Sequence, residues 1–318
     1  MNATVLGAGK LGAAISLLLA RAGHDVTLWA RKPEKAQALA ERAPERLRAV
    51  EQIGDACKEA SLLYFTVPVQ ALREVARAAG AVARGHQIVL HACRGVEEGF
   101  TLASDVLRAE TCWKKIGVIG GPLYVDDAER GRPLVCVLAS RFDEVQRVTK
   151  QLTAGTHVRI HSTRDMTGVE VAAAISNVGQ VAGGLALGLG LGETDQGLLL
   201  VRGLTEATRL GVALGADRAT FAGLAGVGDL IPRPVTSTRH HRKLGAEVGG
   251  GGELAKVLAA HPELEGLRTV REARALGQRL GLPLPLIDAV DDVLFGGAKA
   301  RDAVDRLLGM DLDLDVTG

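Results

Sequence analysis

Near the start of the chain, Gly7-Ala8-Gly9-Lys10-Leu11-Gly12 sets three glycines in GxGxxG spacing between an apolar strand-like run and an apolar helical pattern. Backbone amides in such a turn suit the pyrophosphate of a dinucleotide. Gly7 permits the tight turn, Gly9 a close approach of the phosphates, and Gly12 the packing of helix on strand, with Lys10 and Leu11 completing the loop. A second group follows the next strand, Trp29-Ala30-Arg31-Lys32. An NAD site usually carries an acid there to hold the ribose 2′-hydroxyl, whereas Arg31 and Lys32 suit a 2′-phosphate. NADP is therefore the expected cofactor, NAD remains possible, and a solvated pair of cations is the alternative. Val67-Pro68 closes a further strand and either walls the nicotinamide or is a plain strand-to-helix junction. Residues 230–246 contain no acid but carry Arg233, Arg239, Arg242, Lys243, His240 and His241. That set suits a phosphate or carboxylate clamp, or else an exposed basic loop. Adjacent histidines point apart on a helix or strand, so no metal site is expected, while either could act as an acid or base near neutrality.

The elements that must hold these residues fall into two classes. Strands are expected at 4–6, 25–29, 62–67, 87–91, 116–119 and 134–139. Helices lie between several of them, including 12–22, one beginning at Pro33, and 69–79. Repeated strand–helix units imply an α/β doubly wound parallel sheet. After about residue 165 the pattern is helical throughout, at 169–187, 197–214, 218–224, 252–261, 268–281, 286–295 and 298–308. Two domains follow: a Rossmann NAD(P)-binding domain over 1–165 and an all-helical substrate-binding and dimerisation domain over 166–318.

Composition limits the function classes. In 318 residues, 47% are apolar and 24% charged, enough for a sizeable core. Lys and Arg total 38 against 37 acids, a net charge of +1, which argues against a general nucleic-acid or membrane-surface binder. Five Phe, two Tyr and two Trp are too few for a base-stacking platform. Cys57, Cys93, Cys112 and Cys136 show no CxxC spacing and read as reduced thiols of a cytoplasmic protein. No targeting segment is read at the start, and the run 181–192 is short of a span and broken by glycines, so no membrane insertion is expected.

Several segments together resemble the bacterial NAD(P)-dependent glycerol-3-phosphate dehydrogenases. Besides the glycine turn, Thr66-Val67-Pro68-Val69-Gln70-Ala71-Leu72-Arg73 resembles an (A/T)VPSxxLR junction. Cys93-Arg94-Gly95-Val96-Glu97 sits where TKG(I/L)E is expected. Gly121-Pro122-Leu123-Tyr124 with Gly131-Arg132-Pro133 resembles GPSFAxEVxxGxP. Most specific is Arg202-Gly203-Leu204-Thr205-Glu206-Ala207-Thr208-Arg209-Leu210-Gly211 followed by Thr220-Phe221-Ala222-Gly223-Leu224-Ala225-Gly226-Val227-Gly228-Asp229-Leu230, which resembles TRGLxEMxRLG…TFxGLAGxGDL. Glu265-Gly266-Leu267-Arg268-Thr269 and Leu284-Pro285-Leu286 are similar to its EGxxTA and MP(I/L) segments.

The resemblance implies reversible hydride transfer between NAD(P)H and dihydroxyacetone phosphate, a site in the cleft between two domains, and a homodimer. It carries Asn177 and Asp229 over as catalytic, Glu265 as cofactor-binding and Gly121 as substrate-binding. Departures fall on the chemistry. A family lysine-asparagine pair, with lysine as the base, reads Ser176-Asn177 here. The KG lysine is replaced by Arg94, which keeps charge but cannot shuttle protons. The family's substrate-binding Ser-Arg-Asn falls on Arg239, His240 and His241 without a gap, or on Thr238, Arg239 and His240 with a one-residue shift. Catalytic candidates are thus Asn177, Asp229, Arg94 and His240, with Arg239, His241, Arg242, Thr238 and Gly121 on the substrate. Two other readings stay open: a related dehydrogenase for another phosphorylated or carboxylated hydroxy compound, and a silent NAD(P)-binding protein.

Overall fold

A computed structural model describes residues 2–126, 132–230 and 240–311. Two compact units divide the chain: Met1–Arg94 with Thr101–Glu170, and Gly95–Phe100 with Val171–Gly318.

Unit 1 is built on an eight-stranded sheet. Its strands are β1 (Asn2–Leu6), β2 (Asp25–Trp29), β3 (Leu47–Val50), β4 (Leu62–Phe65), β5 (Ile88–His91), β6 (Ile116–Gly120), β7 (Leu134–Ala139) and β8 (Val158–Thr163). The order is β3-β2-β1-β4-β5-β6-β7-β8, a Rossmann order continued by two more strands. Every residue of β4, β5 and β6 is buried, as expected of central strands covered on both faces. Register is direct along the first pair, from Asn2 opposite Asp25 to Leu6 opposite Trp29, so both strands end together beside the glycine turn.

The expected parallel sheet is corrected at one place. β6 and β7 pair antiparallel, Val118 opposite Ala139 and Gly120 opposite Val137. A parallel pair needs a long crossover, usually a helix, and an antiparallel pair does not. β3 and β8 escaped the sequence reading. Both are edge strands, and the burial along β8 alternates between half-buried and exposed with Arg159 and His161 in the run, so neither shows the apolar signature of a buried strand.

Unit 2 is helical among the described residues, apart from its short 95–100 segment. The long Met166–Gly188 helix begins in unit 1 and continues into unit 2. By length and composition it could cross a membrane, with mean hydropathy 1.4 over its most apolar stretch, but 89% of that stretch is buried inside the protein. It is therefore longer and more apolar than the 169–187 and 181–192 readings suggested. The helices Glu193–Ala213, Arg218–Ala222, Leu254–Ala260, Glu265–Leu280, Pro285–Leu294 and Ala300–Gly309 lie within a few residues of their expected positions. A helix at His240–Gly249 was not expected. Its basic, histidine-rich start resembles a loop more than an amphipathic helix.

Candidate functional site

In unit 1 the glycine turn closes on itself and leaves one face open. The Gly7 amide donates to the Trp29 carbonyl at 2.8 Å, which ties β1 to the end of β2. Gly7 has φ +121°, and a Cβ there would lie 2.9 Å from both the carbonyl and the hydroxyl oxygen of Thr66. A Cβ on Gly12 would collide with the Gly7 carbonyl and lie 2.5 Å from Thr66 Oγ1. Thr66 Oγ1 is placed to donate to the carbonyls of Leu6 at 3.2 Å and Gly7 at 3.0 Å. These contacts make Gly7 and Gly12 obligatory for packing alone.

Gly9 differs, because a Cβ there would meet no protein atom within 4 Å. It is the exposed N-cap of the Lys10–Arg21 helix, which has no side-chain cap and no acid in its first turn. A helix start with uncapped donors beside open space fits an anionic group laid on the backbone. The residues present therefore fit a dinucleotide. Lys10 is exposed at the same turn and Leu11 half-buried. Arg31 and Lys32 are both exposed, and Lys32 is the N-cap of the Pro33–Ala40 helix.

Two strand ends meet nearby in the same unit. Cys93 Sγ donates to the Val67 carbonyl at 3.4 Å, linking the segments after β4 and β5. Val67 and Arg94 are half-buried, and Pro68 is the exposed N-cap of the Val69–Gly80 helix. Gly121, just past β6, is buried with φ +80°. Glu170 accepts from both the amide and the hydroxyl of Ser104, each at 2.8 Å, with His91 Nε2 3.3 Å away. All three are buried, so they anchor the first turns of the long helix. Burial pushes the Cys57 and Cys136 thiols up to about 12, which removes both as nucleophiles near neutrality.

In unit 2 the long helix and the His240–Gly249 helix touch backbone to backbone. A Cβ on Gly184 would collide with the Arg242 carbonyl, and one on Gly188 with that of Ala246. From the other side, a Cβ on Gly245 would meet the Val181 carbonyl and one on Gly249 that of Leu185. Each helix thus carries two glycines four residues apart, one turn, on its contacting face. The seam fixes the second helix on the first and sets the directions of its leading residues. His240 is exposed, His241 half-buried and Arg242 buried.

Those directions separate the expected clamp. His241 Nε2 accepts the Gly266 amide at 3.0 Å. A Cβ on Gly266 would lie 2.6 Å from His241 Cδ2 and 3.3 Å from Asn177 Cβ. Asn177, His241 and the N-terminus of the Glu265–Leu280 helix therefore meet, with Glu265 half-buried at the helix's first position. Arg242 instead turns inward and donates to Gln196 Oε1. That contact makes it a cross-link between helices. Lys243 pairs with Glu247 at 3.6 Å on the surface. Arg233, Thr238 and Arg239 lie outside the described residues. Ser176 is 2% exposed, and its hydroxyl has no hydrogen-bond partner among the described residues.

Most of the long motif before Asp229 is packing. Glu206 accepts the amides of Leu286 and Ile287 at 2.6 and 2.9 Å and so caps the Pro285–Leu294 helix. Burial pushes its carboxyl up to about 7 against the pull of those two amides. Arg202 donates to the carbonyls of Met310 and, at 3.2 Å, Asp311. The Phe221 ring occupies the space a Gly211 side chain would need, and Gly226 lies against the Phe221 backbone. Buried Asp229 follows in the Val227–Leu230 turn. Its neighbour Leu230 accepts from Gln180 at 3.5 Å, one turn beyond Asn177 on the long helix. Sequence reasoning missed Gly266 and the glycine seam. The signal was present as two glycine pairs at four-residue spacing.

Family models for the N-terminus and the C-terminus of NAD-dependent glycerol-3-phosphate dehydrogenase match residues 2–146 and 165–305. A glycerol-3-phosphate dehydrogenase (NAD(P)+) of Nitrosomonas eutropha is 34% identical over 97% of this chain and 97% of its own. One of Moorella thermoacetica is 35% identical, covering 96% of this chain and 94% of its own. The crystal structure of glycerol-3-phosphate dehydrogenase from Coxiella burnetii superposes with a TM-score of 0.90 at 27% identity, covering 97% of this chain and 99% of that one.

Proposed function

The chain belongs to the NAD-dependent glycerol-3-phosphate dehydrogenase family, and from that premise we propose that it interconverts dihydroxyacetone phosphate and glycerol 3-phosphate by hydride transfer. The observation that carries the reading is the uncapped helix start at Gly9, open where a dinucleotide pyrophosphate would lie. A bound nicotinamide dinucleotide supplies the hydride. NADP is the proposed cofactor, since Arg31 and Lys32 stand after β2 with no acid between them and the strand.

The chain's own residues divide the remaining work. Gly7, Gly9, Lys10, Leu11 and Gly12 hold the pyrophosphate, Val67 and Pro68 border the nicotinamide half, and Glu265 joins the cofactor side. Asn177, Asp229 and Arg94 hydrogen-bond or orient the reacting carbonyl, which stabilises charge as it moves onto oxygen. Gly121, Thr238 and Arg239 are assigned to the phosphorylated substrate, and His240 remains an acid–base candidate. A cytoplasmic location, read from four scattered cysteines without CxxC spacing, and a homodimer, implied by the family resemblance, belong to this reading.

A spectrophotometric assay with NADPH and NADH against dihydroxyacetone phosphate, other ketose phosphates and 2-oxo acids tests it. Oxidation of NADPH with dihydroxyacetone phosphate is expected. Turnover confined to another compound would keep the hydride chemistry and replace the substrate. No turnover, with cofactor binding intact, would make the chain a silent binder.

A further inference from the structure

The contact between His241 and Gly266 fixes more than a position. An imidazole nitrogen that accepts a hydrogen bond carries no proton, so the neutral ring holds its hydrogen on Nδ1. A proton on Nε2 would set two N–H groups head to head across 3.0 Å. Gly266 is also the second residue of the Glu265–Leu280 helix, which has no side-chain cap. His241 thus satisfies one of that helix's orphan amides, and the positive end of the helix opposes a charged ring.

The ring has little room to leave this arrangement. Any Cβ at Gly266 would lie 2.8 Å from Nε2 and 3.3 Å from Asn177 Cβ, so ring, glycine and asparagine are stacked closely. Behind the ring, the glycine seam holds the His240–Gly249 helix against the long helix. Among the described residues, the titratable or charged groups within two positions of the contact are Glu265 and Arg268 beside Gly266, and His240, Arg242 and Lys243 on the ring's own helix. Glu265 would favour a charged ring; Arg242, buried one residue away, would oppose it.

We propose that His241 is a neutral ring locked with its proton on Nδ1, a positioning residue that seats Asn177 against the start of the Glu265–Leu280 helix rather than the acid–base group of the reaction. The kinetic part of the test rests on the function proposed above; the spectroscopic part does not. Long-range proton–nitrogen spectra of protein carrying ¹⁵N-labelled histidine read the ring with no substrate present. One protonated nitrogen, Nδ1, is expected from about pH 8 down to about pH 6. A proton on Nε2, or on both nitrogens, at neutral pH would overturn the proposal.

His241→Gln supplies an acceptor for Gly266 and cannot titrate. Its kcat should stay within about threefold of wild type with an unchanged pH profile, whereas an acid–base role would cost about 10²-fold or more and erase an inflection. His241→Leu cannot accept, and should raise KM about tenfold or more with a smaller change in kcat. An unchanged KM would remove the positioning role. If wild type reduces no ketone, the functional reading fails while the spectra still decide the state of the ring.

Discussion

The protein uses glycine for close approach in two places, and the two differ in reach. In unit 1, Gly7 and Gly12 close a turn of six residues against Thr66, and a Cβ on Gly9 between them would meet no protein atom within 4 Å. In unit 2, Gly184 and Gly188 receive the carbonyls of a helix that comes much later in the chain, and Gly245 and Gly249 receive carbonyls in return. The first device presents backbone amides to a ligand. The second presents side chains, because it fixes the rotation of a helix whose leading residues are His240, His241 and Arg242. A turn of fixed geometry leaves the residues around it little freedom. A seam constrains only the glycines, so the side chains beside it can change while the backbone stays. The nucleotide turn keeps its three glycines, while the positions on the two seamed helices read Ser176, His240 and His241.

The comparison breaks if the altered positions already work well. With serine at 176 and a neutral ring at His241, turnover of glycerol 3-phosphate should be slow unless His240 serves as the acid–base group. Ser176→Lys should raise kcat by about 10²- to 10⁴-fold, the usual contribution of general acid–base catalysis. Steady-state kinetics measures this, and fast wild-type turnover would contradict it. Next in size is the seam itself. Gly245→Ala forces the two helices apart and should cost about 3 kcal/mol in urea unfolding, the upper end of overpacking. A cost below about 0.5 kcal/mol would show that the seam yields easily.

Within the turn, the contrast between Gly9 and Gly12 sharpens the point. Gly9→Ala should leave unfolding stability within about 0.5 kcal/mol of wild type and weaken NADPH binding, because its methyl group meets no protein atom. Gly12→Ala should lower stability and binding together. Titration calorimetry and unfolding of both variants decide it. At the 2′-phosphate position, Arg31→Ala should weaken NADPH by about 1.5–3 kcal/mol, one to two decades, and leave NADH nearly unchanged. Equal wild-type affinities for the two cofactors would refute that assignment.

A further effect is a pH slope from the packed motif. Burial raises the Glu206 carboxyl from 4.5 to about 7. The folded state then binds this proton more tightly than the unfolded state. Its contribution is therefore full below about pH 4.5 and is lost as pH rises toward 7, by at most about 1.4 kcal/mol per pH unit. Glu206→Gln should flatten the stability profile over that window. A slope of the same size in the variant would place the titration elsewhere.

Much of unit 1 was legible because its signals are local. The GxGxxG spacing, the buried strands β4 and β5 and the proline that opens the Pro33–Ala40 helix each declare themselves within a few residues. The edge strands β3 and β8 did not, since an edge strand carries polar residues that read as loop. For Arg242, charge and position suggested a substrate clamp, but its buried bond to Gln196 makes it a helix cross-link. Nothing near Arg242 in the sequence announces Gln196.

The sequence by itself determined the two-part organisation, the nucleotide turn, the family and the identity of Asn177 and Asp229 as the residues to watch. Only the tertiary structure decided which of two adjacent histidines lies against Gly266 and Asn177. It likewise decided that Glu206 and Arg202, inside the most family-like motif, serve as a helix cap and a tail anchor. The reason is geometric. Turn and strand signals are set by dihedral preferences and burial along one stretch of chain. The orientation of a side chain on a helix depends on which face the helix buries, and here that face is chosen by glycines on two separate segments meeting backbone to backbone.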